Sequence, residues 1–140
     1  KGLGVRQRIA AAVKRRLELE EPHCEAVRAA LAYGALPLNA GLSLSCLYHS
    51  VDSMWFAIGD KSTDFNFYTK RALLAGVYGA TLLYWLDDNS ENREDSWAFL
   101  DRRLEDVMRI GRLKGKLQRI FPSPGMIARL IKGSRRPRFG

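Results

Sequence analysis

The chain has 140 residues, 46% of them hydrophobic, and a formal net charge of +8. That length suits one domain, and the composition is too apolar for a disordered segment, so a single buried core is expected. The charge is unevenly placed: residues 1–108 hold 13 Lys/Arg against 15 Asp/Glu, whereas residues 109–140 hold 10 Lys/Arg and no acid.

In chain order, Val5 to Glu20 sets Ile9, Val13 and Leu17 at four-residue spacing with basic residues between, which predicts an amphipathic helix. Pro22 opens a second helix with Cys24, Val27, Ala30 and Leu31 on one side, ending before Pro37 because the residue ahead of a proline is pushed out of helical geometry. A third helix from about Leu42 presents Leu44, Leu47, Val51, Met54, Trp55 and Ile58, and Gly59 is placed to end it. Ser62, Thr63 or Asp64 can cap a fourth, central helix whose apolar residues run through Leu73, Leu74, Val77, Leu82 and Leu86. A fifth begins at Ser90 or Asn92, with Trp97, Leu100, Leu104, Val107 and Met108 as its buried side and Gly111 as a point of fraying. Beyond Pro122 and Pro124, Met126 to Lys132 reads as a short basic amphipathic helix. Nothing reads as a strand, so the fold class is all-α.

Little supports catalysis or metal binding. Cys24 and Cys46 lack the paired spacing of a zinc site or disulfide framework, which suits a reducing compartment. Cys46 and His49 can share a helix face, but no base, acid or oxyanion donor is identifiable beside them. Glu20 and His23 match the Glu-x-x-His spacing of di-iron bundles, yet Pro22 interrupts that helix and the second copy is absent. No metal, no cofactor and no enzymatic activity are expected. No apolar run approaches the about 18 residues that span a bilayer, and no long apolar secretory stretch opens the chain.

Three stretches can carry binding. Between Met54 and Arg71, five aromatics are interleaved with Asp60, Asp64, Lys70 and Arg71. Asp64, Phe67, Tyr68 and Arg71 fall at i, i+3, i+4 and i+7 of a helix, so they line one face, either as ordinary core or as an interface stripe of the aromatic-plus-Arg composition typical of hot spots. The fourth helix also carries Ala72, Ala75, Gly76, Gly79 and Ala80, which serve either close helix packing or a channel walled by Trp55, Ile58, Leu73, Val77, Tyr78 and Leu82. In the basic tail, Lys and Arg attract phosphates of nucleic acid and of anionic lipid alike. The interleaved Leu113, Leu117, Ile120, Phe121, Met126, Ile127, Leu130 and Ile131 favour an acyl layer over nucleic acid. The membrane-facing set is Arg119, Phe121, Met126, Ile127, Arg129, Leu130, Ile131 and Lys132, with no nucleic-acid partner.

The segment GDKSTDFNFYTKRALLAGVYGATLLYWLDD, followed by SWAFLDRRLEDVMRIG, resembles the lipid-binding accessory family of ubiquinone biosynthesis, coenzyme Q nine, from about Leu36 to Gly111. The resemblance implies a helical bundle like the ligand-binding portion of TetR-family regulators, without catalysis of its own. It implies an isoprenoid lipid or ubiquinone precursor as ligand, in the channel that includes Gly76 and Gly79. It further implies a di-iron demethoxyubiquinone hydroxylase as partner, on a surface formed by Asp52, Met54, Asp64, Phe67, Tyr68 and Arg71. Many members carry Trp where this chain has Phe67, which keeps the apolar surface and loses an indole donor. The expected layout is a helical lipid-binding domain at 1–111, its helix-turn-helix-like part absent, and a basic amphipathic tail at 112–140. The expected assembly is a homodimer on an anionic membrane surface, on the bacterial cytoplasmic or mitochondrial matrix side. The competing reading is the ligand-sensing domain of a TetR-type transcriptional regulator.

Overall fold

The computed structural model describes residues 2, 4–59 and 66–120, with side chains through 59 and from 69 to 113. The described residues form five α-helices and no strand: α1 (Val5–Glu20), α2 (Cys24–Gly34), α3 (Ala40–Ile58), α4 (Asn66–Asp87) and α5 (Glu94–Ile120). Short 3-10 turns at Glu21–His23, Pro37–Asn39 and Glu91–Arg93 join neighbours. The all-α expectation therefore holds.

Local chemistry sets the boundaries. Pro22 and Pro37 each stand at the start of a 3-10 turn, where a missing N–H costs nothing. Gly59 ends α3 with φ 84°, a left-handed conformation in which a side chain would be strained. At the end of α2, Ser43 donates to the Gly34 carbonyl at 3.0 Å, and a Cβ on Gly34 would collide with that hydroxyl.

The chain divides into two compact units, 1–105 and 106–140, the division falling within α5. In the first, α1 packs on α3 and α3 on α4. Ile9, Val13 and Leu17 of α1 are buried, Val13 and Leu17 completely. They meet a core to which α3 gives Val51, Met54, Trp55 and Ile58, α4 gives Leu74, Val77, Tyr78, Leu82, Trp85 and Leu86, and α5 gives Leu100 and Leu104. Each such side chain contributes about 1.5–3 kcal/mol on leaving water.

Two apolar faces differ from the sequence expectation. On α2, Cys24, Val27 and Leu31 are only half-buried and Ala30 is exposed, so the helix buries nothing fully. The first half of α3 is open as well: Leu42 and Leu44 are exposed, together with Tyr33, Leu36 and Leu38, and only from Val51 onward does α3 enter the core. In the second unit, Val107 and Met108 are half-buried, Ile110 and Leu113 are exposed, and α5 runs unbroken past Gly111.

Candidate functional site

Helix ends are held by arginines. The last carbonyls of an α-helix have no partner within it and carry partial negative charge, so a guanidinium is a matched donor. Arg8 donates to the Ile58 carbonyl at 3.0 Å, closing α3 from α1. Arg28 donates to the Leu86 carbonyl near the end of α4. Arg93 donates to the carbonyls of Trp85 and Asp88, both at 2.6 Å, stacks over the Trp85 ring at 4.9 Å and binds Glu21 at 2.8 Å. The hydrogen bond to Glu21 raises the Arg93 pKa against the desolvation that lowers it. Asn92 and Arg93 both sit at positive φ, 51° and 58°, so this turn holds a strained non-glycine pair in order to aim Arg93 back at α4.

The start of α5 is held by Asp88. Its carboxylate accepts from the Ser90 N–H at 2.8 Å, the Ser96 N–H at 2.9 Å and the Ser96 hydroxyl. Burial alone would raise its pKa, but hydrogen bonds from Ser90 and Ser96 hold it at about 2, below the ordinary 3.8. Asp88 thus caps α5 from six residues before its first turn, a role that the Ser90 or Asn92 cap read from sequence does not include.

The sequence-derived binding residues separate into inner and outer sets. Trp55 and Ile58 of α3 and Val77, Tyr78 and Leu82 of α4 are buried together in the α3–α4 core, and Leu73 is half-buried. The indole N–H of Trp55 is buried and meets no acceptor among the described residues. Gly76 is exposed and Gly79 half-buried, and a Cβ at either would meet nothing within 4 Å. Among the described residues neither glycine marks a close helix–helix approach, and both border open space.

Of the expected partner-facing set, Asp52 is half-exposed while Met54 and Arg71 are buried. The expectation that Arg71 projects from an exposed stripe is corrected here: its Nε and Nη2 both donate to Asp52 Oδ1 at 2.9 Å, and its side chain is only 8% exposed. A guanidinium at a helix–helix contact reaches a carboxylate on the neighbour more readily than it leaves for solvent. Phe67 and Tyr68 lie in the first turn of α4, with side chains outside the described residues, as is Asp64. Arg119 lies in α5 with its side chain also outside them, and Phe121, Met126, Ile127, Arg129, Leu130, Ile131 and Lys132 are outside them entirely.

Hollows open on the surface among the described residues. One, about 670 Å³, lies between α4 and α5 beside Leu83, Asp87 and Asp95 and the stacked rings of Tyr84 and Phe99, 4.5 Å apart. Another, about 410 Å³, lies between α1 and α3. Among the described residues no three of His, Cys, Asp and Glu come together as a metal site, and no single helix is long and apolar enough to cross a membrane.

An all-α bundle whose helix ends are held by arginines and by a capping carboxylate defines a class of protein rather than a function. Comparison with known proteins narrows it: the COQ9 family model matches residues 40–111, which is α3, α4 and the first two-thirds of α5, and the chain belongs to the COQ9 family. It is 48% identical over 100 residues to "Ubiquinone biosynthesis protein COQ9, mitochondrial" of Rattus norvegicus, covering 71% of this chain and 32% of the relative. The Homo sapiens protein of that name is 46% identical, covering 71% of this chain and 31% of the relative. The Drosophila melanogaster protein is 33% identical over 129 residues, covering 87% and 40%. The chain thus spans about a third of the length of the two mammalian relatives.

Proposed function

We propose that this chain is the lipid-presenting part of a ubiquinone-biosynthesis protein. It holds the isoprenoid tail of a quinone precursor along α4 and passes the head group to a di-iron demethoxyubiquinone hydroxylase, with no catalysis of its own. Support comes first from family membership and from relatives named as ubiquinone biosynthesis proteins. The observation that carries the reading is the pair Gly76 and Gly79, two helix-weakening residues in the central helix at which an added Cβ would meet nothing within 4 Å among the described residues. Each glycine costs about 1 kcal/mol relative to alanine in a helix interior. A site that must stay clear for a ligand accounts for that cost, whereas close packing would fill the space.

A quinone on a long isoprenoid tail is nearly insoluble, so a protein that covers the tail lowers the cost of leaving the bilayer. Asp64, Phe67, Tyr68 and Asp52 form the proposed docking surface, and Asp52 also pairs with Arg71, tying α3 to α4. The tail from 112 to 140, with nine Lys/Arg and interleaved apolar residues, rests on an anionic membrane. The relatives are named mitochondrial, which favours the matrix side of the inner membrane over the bacterial cytoplasm.

The test is Gly79→Leu. A Cβ at residue 79 meets nothing within 4 Å among the described residues and leucine favours the helix over glycine, so the variant is expected to fold, and isoprenoid lipid extracted from the purified protein and measured by mass spectrometry falls. Unchanged lipid content in a folded variant refutes the reading.

A further inference from the structure

The hollow between α1 and α3 is basic where the α3–α4 core is apolar. Arg15 and Arg16 of α1 form one wall, His49 and Ser53 of α3 the other, and Leu19 and Met54 supply apolar surface between them. Among the described residues no carboxylate lines it, although α1 carries Glu18 and Glu20 one turn on. Arg15 Nη1 lies 4.0 Å from Glu18, beyond hydrogen-bond reach, and Arg16 Nη2 lies 3.1 Å from Glu20. A guanidinium has five N–H donors in a fixed fork, so most of the donor capacity of both residues remains for a ligand. The arginine side chains stand 70% and 46% exposed, which leaves them reachable.

On the opposite wall, the Ser53 hydroxyl commits its proton to the His49 carbonyl at 2.8 Å, so donation to an anion falls to the arginines of α1. The hollow's volume, about 410 Å³, is ample for a phosphate group and the first few carbons attached to it. Adjacent guanidinium forks are matched to the tetrahedral oxygens of phosphate, and the apolar surface between the walls suits an alkyl neighbour.

We infer that the α1–α3 hollow binds a phosphate-bearing anion with an adjoining apolar group. Arg15 and Arg16 are its electrostatic contacts, and Leu19 and Met54 are its apolar ones. This site is separate from the α4 lipid face of the proposed function: its α1 wall lies outside the family match at residues 40–111, and it would hold a head group where that face holds a tail. A lipid head group and a free phosphate share this chemistry, and the experiment separates them.

The experiment is calorimetric titration of the full chain with three probes: monomeric dihexanoyl phosphatidic acid, inorganic phosphate and neutral dihexanoyl glycerol. Phosphatidic acid binding more tightly than phosphate, with no binding of the neutral probe, supports a lipid head group; equal binding of the two anions supports the free ion. In either case Arg16→Gln and Arg15→Gln each weaken the anion about tenfold, the size of one charged hydrogen bond. Arg102→Gln, an exposed loss of one positive charge on α5, leaves it unchanged. Absence of anion binding, or equal weakening by Arg102→Gln, overturns the inference, since the latter reports bulk charge. Unfolding is excluded by the far-ultraviolet dichroism of each variant. Failure here leaves the isoprenoid content of the protein, and so the reading of the α4 face, untouched.

Discussion

Replacing Arg93 with alanine removes more from this fold than any other single polar change the structure points to. Two charge-assisted bonds to the Trp85 and Asp88 carbonyls are lost, each worth about 1.5 kcal/mol at the low end for charged donors in a half-buried position. The Glu21 pair, whose carboxylate is 49% exposed, adds less than about 1 kcal/mol, and the stacking over Trp85 adds about 0.5–1 kcal/mol. Alanine therefore costs about 4 kcal/mol. Glycine at the same position loses the same bonds but relieves the left-handed backbone at φ 58°, worth about 1 kcal/mol, so it costs about 3 kcal/mol. Lysine keeps the charge without the fork and falls between alanine and the parent. Urea denaturation followed by far-ultraviolet circular dichroism, with the slope held common to all variants, measures all three. An alanine cost below about 1 kcal/mol, or a glycine variant no more stable than alanine, refutes the reasoning, because either would mean that the turn is held by something other than the Arg93 bonds.

Asp52→Ala removes the acceptor on which Arg71 converges and is expected to lower unfolding free energy by about 1–3 kcal/mol in the same assay. The Asp88 carboxyl has a folded pKa of about 2 against 3.8 ordinarily, so its stabilisation is complete above pH 3.8 and is lost as pH falls toward 2. Asp88→Asn is accordingly less stable than the parent at neutral pH, with the gap closing on acid titration; a gap independent of pH contradicts the assignment. Tyr68→Lys is expected to weaken capture of the hydroxylase in a pull-down by roughly 2 kcal/mol or more while leaving helicity and melting temperature nearly unchanged. Loss of the fold in that variant would place Tyr68 in the core instead.

Much of the architecture was legible because it depends on neighbours in sequence. The four-residue spacing of Ile9, Val13 and Leu17 gives a helix its buried stripe, and Pro22, Pro37 and Gly59 punctuate the chain by backbone geometry alone. The burial of Arg71 was not legible because helical spacing tells which residues share a face but not whether that face meets solvent or another helix, and Asp52, to which it donates, lies 19 residues away. The Arg93 and Asp88 devices were invisible for a related reason. A guanidinium bonded to carbonyls in α4 and a carboxylate capping a later helix leave no periodic trace, and an Asn-Arg pair at positive φ is not a turn signature. Leu44 and Leu47 joined the α3 core stripe on paper because hydropathy cannot report that the first half of α3 lacks a covering layer.

The arginines at the helix ends also bear on how the chain folds in time. Arg8 and Ile58 are 50 residues apart, Arg28 and Leu86 58 apart, and Arg93 and Glu21 72 apart. The Arg8 and Arg28 contacts need a finished helix terminus as target, the Arg93 contact needs the Glu21 carboxylate, and each closes a long loop, whose entropic cost must be met by packing already in place. Such contacts are expected to form after the rate-limiting step, so truncating Arg8, Arg28 or Arg93 should leave the refolding limb of a chevron nearly unmoved and speed unfolding. The guanidinium clasps then act as latches on a bundle that has already assembled, setting how long the native state lasts rather than how fast it is reached.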